Sequence, residues 1–211
     1  MLNSANPREA LSWVIADIHR KGWATGTGGN FSLVIQQEPL ILLMAPSGVD
    51  KGLVKPEDLI EVNSEAQVIK GAGKASAETF LHLAIASHTG VGAVLHTHSV
   101  FNTLLSEVYL GKGEILLAGH EMLKGLTGIT SHDLKVSLPI LPNSQDMRTM
   151  AVTVKQLLTD KPDQAHGVLL AGHGLYTWGN NLFEARRHLE TLEFLLELTY
   201  HRLVLGQLQI K

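Results

Sequence analysis

The apolar run Val91-Gly92-Ala93-Val94-Leu95 leads directly into His96-Thr97-His98, and this stretch constrains the chain more than any other. Such a run reads as a buried strand. Side chains two apart on a strand share a face, so both imidazoles can reach a single metal ion. A lone histidine is more often a satisfied polar group of a core, but a same-face pair closing a buried strand reads better as a chelate.

The chain contains no cysteine, which excludes disulfides and thiolate ligands and leaves imidazole and carboxylate to hold any ion. His173, in Ala171-Gly172-His173-Gly174, is the best third ligand. It also follows an apolar strand, Gly167-Val168-Leu169-Leu170-Ala171, and its flanking glycines permit close approach of a metal or substrate. Three imidazoles with an open fourth position form a catalytic pattern, whereas a structural zinc site is closed by four protein ligands. On spacing alone His173 is equally a loop histidine. The other histidines, at 19, 82, 88, 120, 132, 166, 188 and 201, are read as structural.

Around these residues strands and helices interleave. An amphipathic helix is expected from Asn6-Pro7, with Leu11, Val14, Ile15 and Ile18 inward, to about Lys21-Gly22. Strands are expected at Asn30 to Val34 and Leu40 to Met44, and a hairpin joins Ile60 to Val62 with Val68 to Lys70 through Asn63-Ser64-Glu65. A helix should start at Ser76, with Ser76 and Glu78 supplying its capping chemistry. Further strands are expected at Ile115 to Leu117, Val136 to Leu138 and Gly167 to Ala171, and helices at Asp146 to Leu158 and Leu182 to Leu205. The pattern predicts a layered α/β sandwich, one domain across 1–211. A regular doubly wound fold is disfavoured, because the glycine-rich loop follows a helix instead of a strand.

That loop, Gly26-Thr27-Gly28-Gly29-Asn30, offers backbone N–H groups, a hydroxyl and an amide suited to an oxyanion, yet it serves equally as a turn and matches neither the P-loop nor the dinucleotide fingerprint. Ala45-Pro46-Ser47-Gly48 and Ala75-Ser76-Ala77 can add donors. Glu78 and Glu121 stand out among the acids because each lies among small or apolar residues, where partial burial can draw a carboxyl toward neutrality. Glu78 is also explained as a first-turn helix acid. The net charge of -3 and the scatter of the 17 basic residues point away from nucleic acid. The start of the chain lacks the order of a signal peptide, and no apolar stretch reaches about 18 residues, so no membrane partner and a cytoplasmic location are expected.

As an ordered set, Gly26-Thr27-Gly28-Gly29-Asn30-Phe31-Ser32, Ala45-Pro46-Ser47-Gly48, Ser76-Ala77-Glu78, His96-Thr97-His98 and Gly172-His173-Gly174 resemble the class II aldolase/adducin family over most of the chain. The resemblance implies an α/β/α sandwich with a mainly antiparallel central sheet. It implies a divalent metal, usually zinc, on His96, His98 and His173, and a homotetramer with active sites at subunit interfaces. Gly119-His120-Glu121-Met122-Leu123-Lys124-Gly125-Leu126 carries the Glu-Met-(Leu/Ile)-Lys-Gly core of the family's dehydratases, which implies dehydration of a small phosphorylated ketose with Glu121 as proton shuttle. By the same resemblance Gly28, Asn30, Ser47, Gly48 and Ser76 hold the phosphate. Sugar-phosphate aldolases typically have two serines before the acidic residue; this chain has Ser76-Ala77, so a backbone N–H replaces one hydroxyl. Glu78 matches the aldolase catalytic acid. A ketose-phosphate aldolase or 4-epimerase is therefore the neighbouring alternative, and a non-catalytic adducin-like module, which lacks the metal histidines, is the distant one.

Overall fold

The protein is described by a computed structural model over residues 6–160 and 166–208. In chain order the elements are α1 (Pro7–Arg20), β1 (Asn30–Gln36), β2 (Ile41–Met44), β3 (Ile60–Val62), β4 (Val68–Lys70), α2 (Thr79–Thr89), β5 (Ala93–Thr97), α3 (Val100–Val108), β6 (Glu114–Ala118), β7 (Lys135–Leu141), α4 (Met147–Asp160), β8 (Gly167–Leu170), β9 (Gly174–Gly179) and α5 (Leu182–Leu208). The strands form one nine-stranded sheet in the order β4-β3-β2-β1-β5-β9-β8-β7-β6. Neighbours pair antiparallel except β7 and β8, which run parallel because α4 carries the chain across between them.

Strand alternation sorts the core into two layers. Ala93, Leu95, Leu169 and Leu175 face α1, α3 and α5, while Val94, Val168, Leu170, Tyr176 and Trp178 face α2 and α4. Helices thus cover both faces of a mainly antiparallel sheet, the α/β/α sandwich that the resemblance implies. Helix α1 starts as its sequence dictates: the Asn6 side chain accepts the Arg8 N–H at 3.0 Å, and Pro7 fills the first turn. Its apolar stripe, Leu11, Val14, Ile15 and Ile18, is buried. Asp146 caps α4 by accepting the N–H groups of Arg148 and Thr149, each at 3.1 Å.

Four details differ from the sequence reading. Helix α3 and strand β9 have no counterpart in it; α3 follows the histidine pair at once, and β9 follows His173 with no loop between. Helix α2 begins at Thr79 instead of Ser76. Strand β5 ends at Thr97, so His98 lies one residue beyond it.

Candidate metal centre and adjoining cavity

Strand β5 occupies the middle of the sheet, and His96 near its end is paired with Asn30 of β1 on one side and Tyr176 of β9 on the other. The Tyr176 ring stacks on the His96 ring, 3.8 Å between centroids and 10° between planes. His96 Nδ1 lies 3.0 Å from the Leu175 carbonyl oxygen. A carbonyl can only accept, so Nδ1 carries the proton and the Nε2 lone pair is free. His173 is held from both sides: its Nδ1 faces Asn143 Oδ1 at 3.3 Å, and its Nε2 points into the cluster against Glu78 Oε1.

His98 turns back to join them because its backbone N–H donates to the Trp23 carbonyl at 2.8 Å. The flanking hydroxyls of Thr97 and Ser99 donate to Glu193 of α5, at 2.7 and 2.5 Å, and Asn102 Nδ2 adds a third bond at 2.9 Å. Glu193 is buried, and burial pushes its carboxyl above the usual range despite these three donors. Gly174 lets β9 close on the site. A Cβ at Gly174 would lie 2.1 Å from the Thr97 carbonyl oxygen and 3.1 Å from His96 Cε1.

His96 Nε2 is 2.7 Å from His98 Nε2 and 3.3 Å from His173 Nε2. Ligands at the usual ~2.0–2.1 Å zinc–nitrogen distance in a tetrahedron stand about 3.3 Å apart, so the three rings need little movement to fit a divalent ion. Burial, with the charges of His98 and His173, holds His96 well below the ordinary imidazole pKa, and burial followed by the His173 charge lowers His98. Neutral imidazoles with converging lone pairs are the donor set a divalent metal requires.

Glu78 completes the cluster, its ligand atom lying with the three imidazole nitrogens inside a 4.8 Å span. Its Oε1 is 2.8 Å from His173 Nε2 and 3.8 Å from His96 Nε2. Oε2 accepts from the Asn30 amide. Burial raises the carboxyl, but the hydrogen bond and charge of His173, with the charges of His98 and His82, outweigh it and hold Glu78 below the usual carboxylate pKa. The capping role expected of Glu78 is not made: it occupies the N-cap position of α2 without a side-chain cap bond, and Ser76 Oγ instead accepts the Glu78 N–H at 3.2 Å.

A cavity of about 300 Å³ adjoins the cluster, and Gly28, Asn30, Ser47, Gly48 and Ser76 all line it together with Glu78 and His98. Lys51 lines it too, a residue that sequence patterning passes over. In Val49-Asp50-Lys51-Gly52 a lysine reads as a solvated turn residue, and nothing local signals its burial.

Glu121 is placed differently from expectation. Far from lying half-buried, its side chain is 68 % exposed on the short helical turn Glu121–Gly125 after β6, ion-paired with Lys124 Nζ at 2.6 Å and His132 Nδ1 at 3.0 Å. The hydrogen bond from Lys124 draws its carboxyl down, away from neutrality. It belongs neither to the donor cluster nor to the cavity of its own chain.

The family model for the class II aldolase and adducin N-terminal domain matches residues 9–200. The chain belongs to this family. Among curated class II relatives, the methylthioribulose-1-phosphate dehydratase of Xanthomonas campestris pv. campestris (strain 8004) is 42% identical over 183 residues, 86% of this chain and 82% of that one. The dehydratase of Picosynechococcus sp. is 38% identical over 200 residues, covering 93% and 92%. Among solved structures, L-fuculose-1-phosphate aldolase from Thermus thermophilus superimposes with a TM-score of 0.73 at 28% identity, covering 93% of this chain and 95% of that one. YgbL from Escherichia coli gives 0.75 at 26% identity, covering 92% and 87%.

Proposed function

We propose that the chain is a lyase that dehydrates 5-methylthioribulose 1-phosphate to 2,3-diketo-5-methylthiopentyl 1-phosphate, a step of methionine salvage, with zinc on His96, His98 and His173. The observation that carries the chemistry is the convergence of three imidazole Nε2 atoms and an ionised Glu78 at the wall of a cavity sized for a phosphorylated ketose. The relatives named for this reaction, near 40% identity over most of the chain, support the choice of substrate.

The bound ion would supply Lewis-acid stabilisation of negative charge developing on the ketose oxygens. Gly28, Asn30, Ser47, Gly48 and Ser76 hold the phosphate through backbone N–H groups, an amide and hydroxyls, and so fix the sugar carbons relative to the cluster. Glu121 takes the proton from C3. The C4 hydroxyl then leaves with a proton as water, and the resulting enol tautomerises to the ketone at C3. Because Glu121 stands on an exposed turn of its own chain, we assign it to the site of a neighbouring copy within a homotetramer. Leu116, Met122 and Leu134 are exposed near it, the kind of apolar surface an assembly covers. A chain without cysteine fits the cytoplasm, and neither nucleic acid nor membrane enters this reading. No helix among the described residues is long and apolar enough to cross a membrane.

A retro-aldol cleavage is the second reading, favoured by the placement of Glu78, which lies in the cluster of its own chain as a ready carboxylate base. Incubating the metal-loaded protein with 5-methylthioribulose 1-phosphate and weighing the product separates the two. Dehydration gives a single product lighter by one water. Smaller carbon fragments would establish the aldolase instead, and an isomer of unchanged mass an epimerase.

A further inference from the structure

The cavity beside the imidazoles contains a buried cation that the reading above does not use. Lys51 is 1 % exposed, and an ammonium taken out of water is costly unless it is hydrogen-bonded or paired. Its Nζ donates to the Thr27 carbonyl at 2.9 Å and the Val49 carbonyl at 3.2 Å. Those carbonyls belong to the glycine-rich loop and to the loop carrying Ser47, so the ammonium sits where the two meet. An ammonium has three N–H donors, and two are taken. The third has no hydrogen-bond partner among the described residues, and Lys51 is the sole lysine or arginine among those that line the cavity.

Apart from the ion proposed at the imidazoles, Lys51 is the fixed positive charge on that wall, and its neighbours there are neutral donors or the Glu78 carboxylate. The Asn30 amide shares its donors with Glu78, and the Ser76 hydroxyl, which accepts the Glu78 N–H, has one hydrogen to donate; both are uncharged. Ala77 brings no hydroxyl. Glu78 itself is a carboxylate facing the same space, which repels a second anion unless a positive charge intervenes.

We infer that Lys51 is the charge partner of the substrate's phosphate, its third N–H donating to a phosphate oxygen while the two carbonyls hold the ammonium at the junction of the loops. The inference rests on the reading of this cavity as the phosphate site. It makes Lys51 the residue that selects a phosphorylated ketose over a neutral one, since hydroxyls and backbone N–H groups serve both.

The test is calorimetric titration of the metal-loaded protein with inorganic phosphate, and it needs no turnover. In Lys51→Met the phosphate affinity should fall by about tenfold to a hundredfold, the worth of one charge-assisted hydrogen bond. Metal stoichiometry, thermal midpoint and affinity for an unphosphorylated ketopentose should stay as in the wild type. Lys51→Gln keeps a donor for the carbonyls, removes the charge, and should show the same loss if the methionine variant does not fold. Unchanged phosphate affinity in the variants, or no saturable phosphate binding by the wild type, would overturn the assignment. Loss of phosphate, ketopentose and metal together would also overturn it, by showing Lys51 to be a strut between loops. None of these outcomes depends on whether the product assay yields a dehydrated species.

Discussion

At the scale of single residues, tautomer control decides what the three histidines can do. The Leu175 carbonyl takes the Nδ1 proton of His96, while Asn143 and Glu78 orient the His173 ring, so both rings aim Nε2 at the same point. His96→Ala removes a proposed ligand and should yield protein with little bound metal after dialysis against a trace of chelator, read by elemental analysis; a variant that keeps one ion per chain would show that the ligand set is wrong. The chelating pair was legible from the His-x-His spacing, although His98 lies one residue beyond β5 and is turned in by its bond to the Trp23 carbonyl. His173 lies 75 residues beyond His98; its apolar strand and flanking glycines made it a candidate, and the ordered motifs tied it to the pair. Lys51 could not be read, since its burial is created by loops remote in sequence. Glu78 was legible as a candidate but not in its role, because the lowering of its pKa comes from His173 across the fold.

Among the elements, α5 is the one whose contribution to the site is hidden in sequence. Glu193 lies in the middle of a long helical pattern and reads as one more surface acid, yet it is 2 % exposed and binds Thr97, Ser99 and Asn102, the residues around His98 and the start of α3. Its carboxyl titrates above the usual value of 4.5 because burial opposes ionisation. The folded state therefore holds this proton more tightly than the unfolded chain does. The resulting stability is present in full below 4.5 and is lost as pH rises through the raised folded pKa. Glu193→Gln has no proton to lose, and the Ser99 hydroxyl can turn to accept from the new amide. Its thermal midpoint relative to wild type should consequently climb as pH is raised from about 4.5 through the folded pKa. A difference that stays flat with pH would mean that Glu193 is not protonated by burial. The long helices and the Ile60 to Lys70 hairpin were legible because period and turn chemistry agree there. Strand β9 was not, although Leu175-Tyr176-Thr177-Trp178 between glycines has strand composition. It follows His173 without a turn residue between, and the glycines drew attention to the loop. Helix α3 is only nine residues long, and apolar Val100 and Val108 at its two ends are exposed, so little sequence marks where it starts and stops.

For the whole molecule, the layer architecture was readable from interleaved strands and helices, but the strand order was not, since β1 and β9 flank β5 from opposite ends of the chain. That non-local pairing is also what brings the glycine-rich loop, the histidine pair and His173 to one place. The same geometry leaves Glu121 outside, exposed on its turn with Lys124 and His132. If Glu121 serves the site of a neighbouring copy, an active site is a property of two chains and not of one. Glu121→Gln should then bind metal normally while turnover falls by about 10²–10⁴, the usual effect of removing a general acid or base. His96→Ala should be inactive for want of metal. Neither chain has both groups, so a site confined to one chain would remain dead in any mixture. In co-expressed mixed assemblies, however, the intact histidines of one variant can meet the intact glutamate of the other. Roughly a quarter of wild-type activity should return at equal proportions, because both members of the contributing pair must be the right ones. Activity assayed on co-purified, differently tagged chains measures this directly. No recovery, in assemblies shown to contain both chains, would place the proton transfer by Glu121 within its own chain.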